Sequence, residues 1–326
     1  MAASVGSAKA FWSIIKSVSV AEIARESRRP VSIAIAGPPE QREEIVRALF
    51  TPVHADCVAS PQAVALPESP VVEGFDSLQP EAGFPQGKDI FDLVIDVSGQ
   101  SPDAPEGVPV YPLQDLGGWE GTIERILDDR PELALPLARS FPAFRPAVAR
   151  RIIAETASAN AQFTLLTGIS AALPITAILL PVNTLSDMVI LTKNQAMMVL
   201  RLAAAYGLPV DYRSRARELG PLLMNAFGWR TVARQLVGLV PVAGLLTRAM
   251  IAYAGTVTAG KVAQIYYETG ESLSTAHIKH IYQEAYVASG AIVRRIASTL
   301  QRRSQRTPPS QPPLPPSMAS EPSSEA

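Results

Sequence analysis

The chain has 326 residues, enough for two domains of ordinary size, of which 47% are hydrophobic and 18% charged. So low a charge content makes membrane contact a class to be weighed. The single cysteine, Cys57, excludes an intramolecular disulfide and any multi-cysteine metal site. The net charge of −1 conceals a split: residues 30–135 carry 19 acidic against 5 basic side chains, and residues 136–306 carry 7 against 19. The first part repels phosphates, and the second is drawn to anionic surfaces.

Within residues 1–30, Lys9, Lys16, Glu22, Arg25 and Glu26 interrupt the apolar residues, so no signal-peptide core forms. Phe11, Ile14, Ile15, Val18 and Ile23 recur at helical spacing. They predict an amphipathic helix that packs on the protein or lies on a membrane. Val31 to Ala36 is a strand pattern running into Gly37, and Glu40 to Phe50 a helix with Ile45, Val46, Leu49 and Phe50 on one side. Residues 51–86 are rich in proline and acid, with a short strand expected near Val71 and Val72. Phe91 to Val97 and Val108 to Leu113 are further strands, and Trp119 to Asp128 a helix. Strands alternating with helices over residues 31–130 predict a small parallel sheet, an α/β domain.

Residues 131–149, with four prolines, are expected to connect this domain to an all-α hydrophobic domain over 150–306. An apolar stretch from Arg150 to Leu180 is interrupted by Pro174. Thr184 to Asp187 has the form of a capping box opening a helix that Gly207 closes after Tyr206. Asp187, Asn194 and Arg201 lie seven apart, a narrow polar stripe on that helix. A third stretch, Val232 to Glu268, ends at Gly270, and a last helix spans Thr275 to Arg303. Residues 307–326 are Pro/Ser-rich, the composition of a disordered tail.

A strand, Gly37, then a helix is the setting of a phosphate-binding loop, G-x-x-x-x-G-K-[ST]. Its second glycine admits the phosphates, its lysine neutralises them and its hydroxyl holds Mg²⁺. Counted from Gly37, those positions are Arg42, Glu43 and Glu44. Two anions stand where a cation and a metal ligand belong, so the phosphate site reads as degenerate. Asp96-Val-Ser-Gly99 matches the D-x-x-G of GTPases, although this strand equally fits the next one over, which carries no catalytic residue. Where a base-reading N-K-x-D would fall, Pro112-Leu-Gln-Asp115 keeps only the aspartate. No catalytic residue, cofactor or small-molecule substrate is expected.

These features together resemble the bacterial YcjF-like domain of unknown function, which accompanies or is fused to GTPase domains. The likeness runs through 146–270: Leu173 to Val182, Asp187 to Gly207, Arg215 to Leu219, Ala233 to Leu236 and Ile251 to Thr256. The lead-in Glu26-Ser-Arg-Arg-Pro30 looks like that of such GTPase domains. The resemblance implies membrane association, at a bacterial inner membrane or its cytoplasmic face, and contributes no catalytic residue. Relatives often carry an intact phosphate loop, from which this chain departs.

Thr156 to Ser186 holds 31 residues without a formal charge, and its most apolar part, Phe163 to Leu180, is 18 residues. At about 1.5 Å per residue that part approaches the ~30 Å hydrocarbon core. A second candidate, 235–260, is interrupted by Arg248, and the basic residues between Arg201 and Arg217 fit a spanning hairpin poorly. The rival reading is a soluble helical bundle with these segments as its core, in which Asp187, Arg201 and Arg248 pair. Arg294, Arg295, Arg302, Arg303 and Arg306 form a basic helix end suited to acidic headgroups. His277, His280 and Glu284 share a helix face, read as an exposed face rather than a metal site. Nucleic acid is not an expected partner, because no aromatic stacking platform accompanies the basic residues. The expectation is a non-catalytic, membrane-associated protein whose GTPase-like domain serves contacts with itself or with a GTPase. The alternative is a soluble module regulating a separate GTPase, and an active NTPase comes third.

Overall fold

The computed structural model describes residues 20–51, 71–75, 91–99, 104, 107–113, 118–171, 184–210 and 244–306. Helix α1 (Val20–Ser27) leads into strand β1 (Ser32–Ala36), helix α2 (Pro39–Phe50) and strand β2 (Val71–Phe75). Strands β3 (Leu93–Asp96) and β4 (Val110–Pro112) and helix α3 (Trp119–Asp129) complete an α/β part. Helix α1 packs on the protein, with Ile23 buried in the main core and Val20 against it, while Phe11, Ile14, Ile15 and Val18 of the expected amphipathic helix lie outside the described residues.

Among the described residues the sheet has four strands in the order β2-β1-β3-β4, all pairs parallel. Ile33 stands opposite both Val72 and Leu93, and Val94 opposite Val110. β1 and β3 are covered on both faces, which is why they read as unbroken apolar runs. The period of two divides them. Ile33, Ile35, Leu93 and Ile95 join the main core, while Ala34, Ala36, Phe91 and Val94 form a smaller cluster on the other face.

The expected connector, 131–149, does join the two parts, but it is built into the core. A 3₁₀ turn (Pro131–Leu133), helix α4 (Ala134–Ser140) and a second 3₁₀ turn (Pro142–Phe144) follow one another. Pro131 and Pro142 each open a turn, where a missing N–H costs nothing. Leu133, Leu135, Leu137, Phe141 and Phe144 are buried. Phe141 meets Phe50 of α2 at 5.5 Å between ring centroids, and Phe144 meets Trp119 of α3 edge-on at 6.1 Å.

Four helices make the all-α part: α5 (Arg145–Ala171), α6 (Thr184–Ala205), α7 (Leu245–Thr269) and α8 (Thr275–Arg306). α7 packs on the other three. A Cβ at Gly260 of α7 would lie 2.6 Å from Cγ1 of Ile153, so this glycine sets how closely α5 and α7 approach. As expected, α6 ends at Gly207, whose φ is +75°. Leu208 N–H donates to the Ala203 carbonyl at 2.9 Å and Gly207 N–H to Ala204 at 3.0 Å, the paired bonds of a Schellman end. One cluster of buried residues runs from Ile33 and Leu93 through Phe141 to Ile153, Met198 and Ala259, so sheet and bundle share a core.

Phe141→Ala should cost about 3–5 kcal/mol. Because the core is shared, urea unfolding followed by far-UV circular dichroism and by tryptophan fluorescence should shift together as one transition. Separate transitions for the two signals would mean that the two parts fold independently.

Candidate functional site

Ligands of open parallel sheets bind outside the carboxyl ends of the strands, where the strand order reverses. In this sheet the reversal lies between β1 and β3. Gly37 follows β1 there, and Asp96 ends β3 with Val97 to Gly99 after it. The connection from β1 to α2 is only Gly37 and Pro38, because the helix starts at Pro39. Pro38 and Pro39 have no N–H, so two of the first three amides that would face a phosphate are missing. Arg42 is already helical, its N–H donating to the Pro38 carbonyl at 3.0 Å. Glu43 and Glu44 are exposed on α2, and Glu43 accepts from Arg47 one turn later at 3.1 Å. The four residues Gly37, Arg42, Glu43 and Glu44 are therefore not gathered into one loop.

The other wall closes the crevice. Val97 N–H donates to the Ala36 carbonyl at 2.8 Å, extending the pairing beyond both strands. Gly37, at φ +147°, lies so close that a Cβ there would be 2.5 Å from Cγ2 of Val97 and 3.2 Å from the Ser98 nitrogen. Asp96 is 1% exposed, and its Oδ1 accepts from the Ser98 N–H at 2.9 Å and the Ser98 hydroxyl at 2.6 Å. The D-x-x-G pattern is thus a turn that runs from the buried Asp96 and Val97 out to an exposed Gly99, φ +68°. Asp115 lies outside the described residues, and among the described ones no three His, Cys, Asp or Glu side chains are grouped to hold a metal.

The basic residues separate as α8 packs. Ile292, Val293, Ile296 and Leu300 face the neighbouring helices, while Arg294, Arg295 and Arg302 are exposed. Arg303 and Arg306 continue the helix backbone. His277 takes part in the start of α8: its N–H donates to the Ser274 hydroxyl at 3.3 Å, and its Nδ1 lies 3.0 Å from the same oxygen. His280 is 3.7 Å from Glu284, both exposed.

Of the two apolar segments, the described parts belong to the bundle. Leu165, Ala249 and Tyr253 are buried against Val293, and Arg248 is exposed. Residues 172–183 and 211–243 lie outside the described residues. Among the described residues no helix is long and apolar enough to cross a membrane. Of the polar stripe, the Asp187 side chain lies outside the described residues, and the other two members find partners on different helices. Arg201 lies 3.6 Å from Glu26 of α1, and Asn194 binds Asn160.

That last contact belongs to a network that the periodicity did not indicate. Asn160, 0% exposed, donates to the Thr256 hydroxyl at 2.9 Å and accepts from Asn194 at 2.8 Å; Gln195 donates to Thr256 at 3.2 Å. It ties α5, α6 and α7 at one level. Nearer the end of α6, the Tyr206 hydroxyl donates to Glu268, which also accepts from Gln264 at 2.9 Å. The Arg145 guanidinium lies 5.6 Å from the centre of the Tyr206 ring. Burial, then the Glu268 charge, holds this phenol well above the usual tyrosine range. An asparagine within the uncharged run 156–186 was the available sign of the first network; the second had none.

Compared with known proteins, the chain matches no family model, and neither a curated protein nor a solved structure matches it.

Gly37→Ala should cost about 1–3 kcal/mol through the clash with Val97 and the unfavourable φ. Shortening the opposing side chain in Val97→Ala should recover part of that cost in a double-mutant cycle of urea unfolding. Strict additivity would mean that the two walls do not touch. The raised phenol of Tyr206 stabilises the fold below the unfolded tyrosine value near 10, and that contribution is lost as pH rises above it. Tyr206→Phe should flatten the fall in stability between pH 9.5 and about 11, read from chemical unfolding at each pH.

Proposed function

We propose that the chain is a non-catalytic interaction protein: a GTPase-like domain that has lost its nucleotide site, coupled to a YcjF-like helical domain that associates with a membrane. The observation that carries the loss is the contact of Gly37 with Val97 at the point where strand order reverses. A phosphate there meets a valine side chain, two prolines without N–H groups and a helix opening on Glu40. The strand-glycine-helix order of a GTPase remains, so the domain keeps its surface for protein contacts with another copy or with a true GTPase.

Support for the membrane comes from the uncharged run 156–186 and from the exposed Arg294, Arg295 and Arg302 of α8. A second reading, a soluble module acting on a separate GTPase, draws support from α7, whose Ala249, Tyr253 and Ala254 are bundle core. An active NTPase is the third reading and is opposed by Glu43 and Glu44.

Titration calorimetry with GTP, GDP and ATP in Mg²⁺ should give no saturable heat; micromolar binding of any of them would overturn the loss of the site. Cell fractionation followed by a carbonate wash should leave the protein in the membrane pellet. Recovery in the soluble fraction would replace membrane association by the second reading.

A further inference from the structure

Helix α8 leans on α7 and, to a smaller extent, on α5. Tyr282, Ala285 and Val293 are buried along that side. Its other side faces solvent. Val287 is 81% exposed there, more than any other large apolar side chain among the described residues. His280, Glu284, Ala291, Arg294 and Ser298 are exposed with it. The six positions are spaced alternately four and three apart, the spacing of the seam along which two helices pack in a coiled coil.

The seam matches itself when reversed, because its positions are placed symmetrically about Ser289. A second helix running antiparallel sets Val287 against Ala291, His280 against Ser298, and Glu284 against Arg294 with Arg295 beside it. Each contact then occurs twice, as an isologous twofold interface requires. Within one chain Glu284 and Arg294 lie ten residues apart on the helix, about 15 Å, and cannot meet. A parallel pairing would set Glu284 against Glu284 and Arg294 against Arg294, which like-charge repulsion opposes. An acidic lipid surface would meet the Glu284 carboxylate in the middle of this face, whereas a second copy supplies the arginine that the carboxylate needs.

We infer that α8 pairs antiparallel with α8 of a second copy of this chain. From 280 to 298 the seam is about 27 Å long, short of a standard interface, so the pairing is reversible and depends on concentration. The inference goes beyond the proposed function, since it concerns α8 and needs neither lipid nor nucleotide. Arg302 lies beyond the seam and stays open to a membrane.

The test is sedimentation velocity of the full chain in a nonionic detergent, with disulfide trapping alongside. Wild type should pass from monomer to dimer as concentration rises. Glu284→Arg should raise the dissociation constant about tenfold or more, because like charges then face each other twice. Mixing it with a chain carrying Arg294→Glu and Arg295→Glu should restore dimerisation. For trapping, Cys57→Ser chains bearing Val287→Cys are oxidised together with Cys57→Ser chains bearing Ala291→Cys. The mixture should give a disulfide dimer of one chain of each kind. Either chain alone should give far less, since its cysteines are offset by about 6 Å along the helices in addition to the helix separation. All these positions are exposed, so each variant should melt like wild type at dilution. A chain that stays monomeric up to its solubility limit overturns the proposal, whether the face then proves free or binds lipid. Dimerisation unchanged in Glu284→Arg, or as much disulfide from Val287→Cys alone as from the mixture, overturns it as well.

Discussion

Phe141 and Phe144 are buried where the sheet's helices meet the bundle, and most of the molecule is arranged around that burial. Phe141 touches Phe50 of α2, and Phe144 touches Trp119 of α3. The same segment runs directly into α5, the helix that α7 packs on most extensively. Glu124 of α3, bound by Arg150 and Arg151, closes the outer side of this junction. Two short 3₁₀ turns and one short helix thus do what a linker cannot. They hold two secondary-structure classes in one hydrophobic core.

That shared core bears on the proposed function. Sheet and bundle are held in one core, so a partner touching either part meets a single body. The carboxyl end of the sheet is consistent with this. A phosphate loop needs slack between strand and helix, and here Gly37 and Pro38 leave almost none. The helix dipole at the start of α2 still points at the crevice, but Glu40 occupies its first turn and prolines remove its leading amides. Val97 takes the remaining space. The short strand-to-helix connection and the closed wall are two sides of one packing arrangement.

Inside the bundle, specificity rests on polar groups rather than on more apolar area. Asn160, Thr256, Asn194 and Gln195 satisfy one another, so a helix sliding by one turn would strand buried amides. Alanine, glycine and threonine are frequent on α7, and close helix approach, as at Gly260 against Ile153, makes such a network reachable. The same small, weakly polar composition made the segment readable either as a membrane span or as bundle core.

The elements and their ends were legible in the residues themselves, because they depend on local physics. Unbroken apolar runs mark β1 and β3, and left-handed glycines stop α6 and α7 at Gly207 and Gly270. The chemical unfitness of Glu43 and Glu44 for a phosphate site was equally plain, since charge does not depend on the fold. Only the tertiary structure decided that 131–149 is core, that Arg201 meets Glu26 of α1, and that Asn160 of α5 meets Asn194 and Thr256. Each of these is a meeting of residues distant in sequence. Composition and periodicity report which face of an element is apolar, but not what that face will touch.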